Sequence, residues 1–444
     1  MAWRGVPPIP PYAGVCSEAE ATRPGYGVQR TVELLLRYHY VQQRLMALGV
    51  ARLPGTPEWE VKAALGLHAW YDAEQTDGWR RRVAELREPP LHLERCPDAA
   101  LGAWLDELEA APGTPELVDG IYAVARPALA AAFARQLREA NPLADHPTRR
   151  LLRIALAEQE EAIAWGAAAA AALVSARSEA ERGAAAQWRR RLEAGLAAAG
   201  GLAAEAPPAG AAVPPAPRRA LPDLTPRRDG RFADQRSFGY VCDEVAQDAA
   251  RPPRERAWAL VFKRLREMDV PEWMAGIIAE TPEAPWEYHR DMIRQLWDEV
   301  RHALFGQATL AAHGLDFTAL PSPIASSLIY GRELTALERH ALLFSIEQGL
   351  MDGRTGKRAE LEAAAAAGMP LQAAFQDFDW ADEVLHTRLG LQHLVRPHGA
   401  ARIRALAAEA SARALPLHYA YCGQGDAWWP GFLAAALAAT QARD

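Results

Sequence analysis

Segments of alternating β-branched residues, the mark of a half-buried strand, are nearly absent from this chain of 444 residues, which excludes a sheet-based fold. Aromatic residues are only 8% of the composition. Long Ala-rich stretches with Leu, Arg and Glu stand in their place, and these residues favour helix. The expected fold class is all-α. Cysteine is scarce: Cys16, Cys96, Cys242 and Cys422 are scattered, with no Cys-x-x-Cys, and read as free thiols of a reducing cytoplasm. Positive charge is not in excess either. The net charge is −7 and the pI near 6, which argues against nucleic acid as a partner. The local exception is Arg218, Arg219, Arg227, Arg228, Arg231 and Arg236, which lie in a Pro-rich stretch and read as a solvated linker. The apolar run at 162–176 is too short and too rich in Ala to span a bilayer. Near the N-terminus, Pro and Gly stand where a signal peptide needs an apolar core. These absences predict a soluble cytoplasmic protein without a membrane partner.

Composition shifts divide the chain into an irregular arm at 1–28, a helical set at 29–199, a linker at 200–251, a second helical set at 252–414 and a tail at 415–444. The linker is drawn on the Pro, Ala and Gly of 200–234. The second set reads as four main helices. The first covers 253–279 with a kink at Pro271, and Thr281-Pro282-Glu283-Ala284-Pro285 stops it. The others cover 286–313, 332–351 and 371–395, with a shorter helical segment at 357–367.

Two of these helices carry the same pattern, Asp298-Glu299-Val300-Arg301-His302 and Asp382-Glu383-Val384-Leu385-His386. Residues i and i+3 share a helix face, so each Glu-x-x-His aims a carboxylate and an imidazole at one point. Two such helices, with one Glu from each of two more, supply the ligands of a carboxylate-bridged dinuclear site. Glu272 is chosen on the first helix because it lies 27 residues before Glu299 across a tight connection; Glu267 and Glu280 are its rivals. Glu347 is chosen on the third because apolar residues surround it, with Glu338 as rival. The predicted ligands are therefore Glu272, Glu299, His302, Glu347, Glu383 and His386. One position before each bridging Glu, Asp298 is expected to accept the free imidazole N–H of His386, and Asp382 that of His302. Four carboxylates would be costly to bury without cations, and an oxygen-rich set with one His per metal suits Fe(II) or Mn(II).

The first helical set reads as a repeat of the second without its ligands. Matching Asp72 to Asp298 places Ala73 and Thr76 where Glu and His should stand. Matching 156–162 to 380–386 puts Gln159 and Ala162 at the other pair, with Gly166 on Gly390. Most of Glu158, Gln159, Glu160 and Glu161 should be solvated, and His39 and His68 should be hydrogen-bonded core residues.

At Trp297-Asp298-Glu299-Val300-Arg301-His302-Ala303, at Glu347-Gln348-Gly349-Leu350 and at Asp379-Trp380-Ala381-Asp382-Glu383-Val384-Leu385-His386, residues 253–395 resemble the ferritin-like superfamily. They look most like a bacterial ferritin-like family of uncharacterised function, and more distantly like the di-iron tRNA hydroxylases. With the repeat, the chain is expected to be two ferritin-like antiparallel helical bundles joined by the linker. The resemblance itself implies a four-helix bundle with a dinuclear site that can activate oxygen. It implies two Fe ions, Mn or a mixed pair being compatible. Its partners would be O₂, a small-molecule substrate and an electron donor, in a chain that could self-associate. An oxidase or oxygenase is the first expectation. A tRNA-modifying hydroxylase is the alternative, disfavoured by the acidic balance. A metal-binding scaffold without enzymatic activity is a further one. Tyr288, Tyr330 and Trp297 are candidate redox or pocket residues. A ferritin cage does not suit a double-length chain with a Pro-rich linker.

Overall fold

Every regular element among the described residues is helical, as the Ala, Leu, Arg and Glu content dictates. The computed structural model describes residues 9–87, 93–175, 177–203, 223–351, 356–423 and 425–441. The chain divides into two units, one within Met1–Leu48 and Tyr71–Leu221, the other within Gly49–Trp70 and Pro222–Asp444. The segment 49–70, expected in the first helical set, thus belongs to the second unit.

The first unit holds most of α1 (Val28–Arg52), the later part of α2 (Trp59–Ala84), and α3 (Ala99–Glu109), α4 (Thr114–Glu139), α5 (His146–Ser175) and α6 (Glu179–Ala198). Its core is built on Tyr38, Trp79 and Phe133, whose rings meet at 4.9 to 6.1 Å. Helix α4 contains a π-helical turn at Gly120–Ala125. Among the described residues, α4 alone is long and apolar enough to cross a membrane, and 61% of its most apolar stretch is buried inside the protein. The run at 162–176 is not that stretch; its described part, 162–175, belongs to α5, where Ala162 and Gly166 are buried.

The second unit begins its helices with α7 (Tyr240–Gln247), inside the expected linker. They continue with α8 (Pro253–Leu265), α9 (Asp269–Ala279), α10 (Trp286–Ala312), α11 (Ala325–Glu333), α12 (Ala336–Leu350), α13 (Lys357–Ala366), α14 (Pro370–Gly390), α15 (Ala400–Cys422) and α16 (Trp429–Gln441). Helices α8 and α9 together, α10, α14 and α12 pack side by side in a closed ring, a helical bundle. Helix α13 covers α8 and α14, and α16 packs back on α8, where Trp258 donates to Thr440 at 3.1 Å.

Three details of the sequence shape this bundle. Pro271 has no N–H to give the carbonyl of Glu267 four residues earlier, and the helix breaks there into a 3₁₀ turn at Arg266–Met268. At Gly306, a Cβ would lie 2.5 Å from the backbone nitrogen of Leu265, so only Gly lets α10 approach the Glu267 turn this closely. At Gly390 a Cβ would overlap the Phe344 ring, and at Gly166 in the first unit it would overlap Tyr122. The two glycines matched in sequence thus play the same packing role, each beside an aromatic ring.

The described part of the expected linker is packed. Phe232 is buried, and Arg228 lies under the chain with Ser322 and Glu272. Arg218 and Arg219 lie outside the described residues. Of the rest of that Arg run, Arg231 pairs with Glu60 and Asp229, and Arg236 donates to the Tyr421 carbonyl. Among the described arginines of the run, Arg228 alone thus departs from the solvated-linker reading, while Arg227, Arg231 and Arg236 are exposed.

Candidate metal centre

Helices α10 and α14 present their Glu-x-x-His faces to each other inside the bundle. Glu299, His302, Glu383 and His386 are all buried, as is Glu347 from α12. Their donor atoms converge. His386 Nδ1 lies 3.4 Å from Glu299, 3.5 Å from Glu383 and 3.9 Å from Glu347. His302 Nδ1 lies 3.5 Å from Glu299, 3.7 Å from Glu267 and 3.4 Å from Asp379. Glu299 turns one oxygen to each imidazole, the arrangement of a bridging carboxylate. Three sets of donors close enough to hold a metal ion follow: Glu299, Glu347, Glu383 and His386; Glu267, Glu299 and His302; and His302, Asp379 and Glu383.

The outer nitrogens of both rings are held crosswise. Asp298 Oδ2 is 3.4 Å from His386 Nε2, and Asp382 Oδ2 is 3.3 Å from His302 Nε2. Sequence reasoning paired them this way. Arg294 holds Asp298 at 3.0 Å, and Arg301 contacts both aspartates, at 3.0 Å from Asp382. Such outer contacts fix which nitrogen carries the proton and leave Nδ1 free to ligate. Both Nδ1 atoms, with Glu267 Oε2 and Glu383 Oε2, are buried without a hydrogen-bond partner. Orphaned buried polar atoms are rare in folded proteins, and four aimed at one point fit missing cations.

Glu272 is not part of this cluster. It is buried in a separate ion network, paired with Lys62 and held by Arg228 through both oxygens at 2.5 and 3.0 Å. The rival Glu267 takes its place because the break before Pro271 turns that residue toward His302. The other rivals are engaged elsewhere. Glu338 closes a capping box with Thr335 and pairs with Arg413 at 2.7 Å, while Glu280 pairs with Arg339.

Sequence reasoning missed three charged residues of the centre. Asp379 sits one helical turn before Glu383, on the same face, and that spacing was the available signal. Lys357, in the first turn of α13, sets its ammonium 2.8 Å from both Asp379 oxygens and 3.0 Å from Glu383. Arg264 pairs with Asp379 and, at 2.9 Å, with Glu267. All three are buried to 1% exposure or less.

These neighbours and burial shift the protons of the Glu and His ligands. Burial opposes a charge on Glu383, but Lys357, His386 and His302 outweigh it and hold the carboxyl well below its usual range. Burial pushes Glu267 up to about 7 against the pull of Arg264 and Lys357. Glu347 is raised by burial, with Glu383 and Glu299 adding to the rise and His386 opposing it. Burial disfavours a charged imidazole, yet Asp379, Asp382 and Glu299 lift His302 to about 10, and Asp298, Glu299 and Glu383 lift His386.

The matching positions of the first unit contain a side-chain cation. Asp72, Thr76, Gln159 and Ala162 are buried there, and Arg126 grips Asp72 at 2.9 and 3.2 Å and Gln159 at 3.0 Å. His39, in α1, is buried and driven down to about 4 by its burial, with Arg80 at 3.2 Å. Removing one partner of a buried pair leaves the other uncompensated. Arg126→Met should thus cost about 3–5 kcal/mol in urea unfolding while metal content per chain stays unchanged. A loss of metal in that variant would show that the first unit takes part in binding.

No family model, curated protein or solved structure matches this chain.

Proposed function

We propose that the chain is an oxygen-activating oxidase or oxygenase with a dinuclear centre, di-iron by preference, acting on a small molecule. In this reading each half is a ferritin-like antiparallel bundle, and the first has lost its ligands. One observation carries the proposal: two buried imidazoles offer unpartnered Nδ1 atoms to shared carboxylates while aspartates hold their Nε2 atoms. Glu267, Glu299 and His302 would hold one ion and Glu299, Glu347, Glu383 and His386 the other. Two Fe(II) ions there would supply the one-electron chemistry with O₂ that no side chain performs.

The chain's own residues prepare the site. Asp298 and Asp382 hold the Nε2 protons and so keep both Nδ1 lone pairs directed inward. Gln295 donates to Glu347 and orients it. Glu299, His302, Glu347, Glu383 and His386 are buried and Glu267 is half-buried, which limits water at the site and strengthens the charge interactions inside. Metal-free protein loaded anaerobically with Fe(II) should consume O₂ when mixed with aerated buffer. Glu299→Ala, lacking the shared carboxylate, should lose at least about 100-fold in uptake rate, as second- and first-contact ligand changes do. Uptake by Glu299→Ala at the parent rate would end this reading.

A further inference from the structure

Lys357 and Arg264 place two positive charges directly on the carboxylates beside His302, whereas among the described residues no Lys or Arg pairs with Glu347 at the other end. Both contact Asp379, and Arg264 also holds Glu267, so every carboxylate that only the His302 end uses is already paired with a cation. At the His386 end, Glu347 is bonded to the neutral Gln295. Glu299 and Glu383 serve both ends; Lys357 lies 3.0 Å from Oε1 of Glu383, while Oε2 of the same carboxylate stays on the His386 side. Asp379 adds one negative charge beside His302, but Lys357 and Arg264 add two positive ones there. An ammonium 2.8 Å from a carboxylate oxygen also competes with a metal for that oxygen.

Resting on the reading of a dinuclear centre, we infer that the two metal positions are unequal. The position of Glu299, Glu347, Glu383 and His386 fills first. The position of Glu267, Glu299 and His302 fills second and more weakly, because Lys357 and Arg264, held beside it by Asp379, repel the incoming cation and compete for its ligands. The inequality is built into this chain by side-chain charge, whichever divalent ion enters.

The consequence is measurable without turnover. Metal-free full-length protein is titrated anaerobically with Co(II), followed by calorimetry and by visible absorption. Two steps are expected, with dissociation constants separated by about tenfold or more, the size of effect a nearby like charge produces. Glu347→Gln should abolish the tight step, and Glu267→Gln should abolish the weak step and leave the tight one. Lys357→Met, which keeps the length and removes the charge, should tighten the second step by about tenfold and narrow the gap. A thermal melt checks that each variant is folded. If Lys357→Met does not fold, the order in which Glu267→Gln and Glu347→Gln remove the steps decides the matter. Two equal steps in the parent protein, or loss of the tight step in Glu267→Gln, would overturn the inference and leave the dinuclear reading standing. No binding of Co(II) at all would overturn both.

Discussion

Glu267→Ala and Glu272→Ala, five residues apart, should fail in opposite ways. Glu272→Ala should keep its metal but lose about 3–5 kcal/mol of stability. The buried ammonium of Lys62 and the guanidinium of Arg228 both rely on that carboxylate. Removing it leaves two charges in the interior with only backbone carbonyls and Ser322 to hold them. Lys62 is already driven down to about 8 by burial, with Glu272 opposing the fall. Without Glu272, part of the cost would be met by losing its proton. Glu267→Ala should behave otherwise. Its carboxyl is raised to about 7 by burial, and its partner Arg264 keeps Asp379 when Glu267 is gone, so deleting it changes metal-free stability by no more than about 1 kcal/mol. Metal content, however, should fall from two ions per chain toward one. Urea unfolding of the metal-free variants, with metal analysis after reloading, separates the cases. If Glu272→Ala lost metal and Glu267→Ala kept it, the helix break at 266–268 would not orient the first ligand.

The reason Glu272 looked right shows where sequence reasoning ends. A spacing of 27 residues to Glu299 places two side chains level only if the intervening helix is continuous. The missing N–H of Pro271 interrupts it four residues earlier than the proline itself, and the face presented to the bundle changes at Glu267. Pro271 was legible as a kink, but the direction of the turn was not. The partners of Glu272 were equally hidden. Lys62 is more than two hundred residues away, and Arg228 lies in a stretch whose composition reads as linker. What was legible was local periodicity. The i, i+3 spacing of Glu299 with His302 and Glu383 with His386 fixed which face each helix turns inward, and the preceding aspartates followed from the same geometry. Glu347 could be found because a carboxylate among Phe344, Ile346 and Leu350 has no easy route to solvent from the inner face. The exposed Ile346 beside it shows how far the apolar neighbourhood overstated burial. Lys357, Arg264 and Arg126 escaped because a buried cation carries no motif. Its partner is chosen by tertiary packing, and nothing in the neighbouring residues records that choice.

Metal uptake should release protons and strengthen as the pH rises. In the metal-free centre His302 is lifted from 6.5 to about 10 and His386 is lifted too, so both imidazoles are protonated at pH 7. Burial raises Glu347 well above its usual range, which favours its protonated form. Ligation needs the deprotonated Nδ1 and carboxylate, and these protons must leave as the ions enter. Calorimetry of Mn(II) binding at pH 7 in buffers of different ionisation enthalpy should therefore report about two or more protons released per pair of ions. The sign for stability follows from the same shifts. A group whose pKa is raised by folding stabilises the fold fully below its unfolded value, and this contribution is lost as the pH climbs through the folded one. For His302 that window runs from 6.5 to about 10. The metal-free protein should thus melt at progressively lower temperature across that interval, while the metal-loaded protein, whose imidazoles are already deprotonated, should not. The gap between the two melting curves should widen from pH 6 to pH 9. A gap that is constant, or that narrows toward alkaline pH, would mean that the imidazoles are neutral before metal arrives and that the carboxylates around them are protonated in their stead.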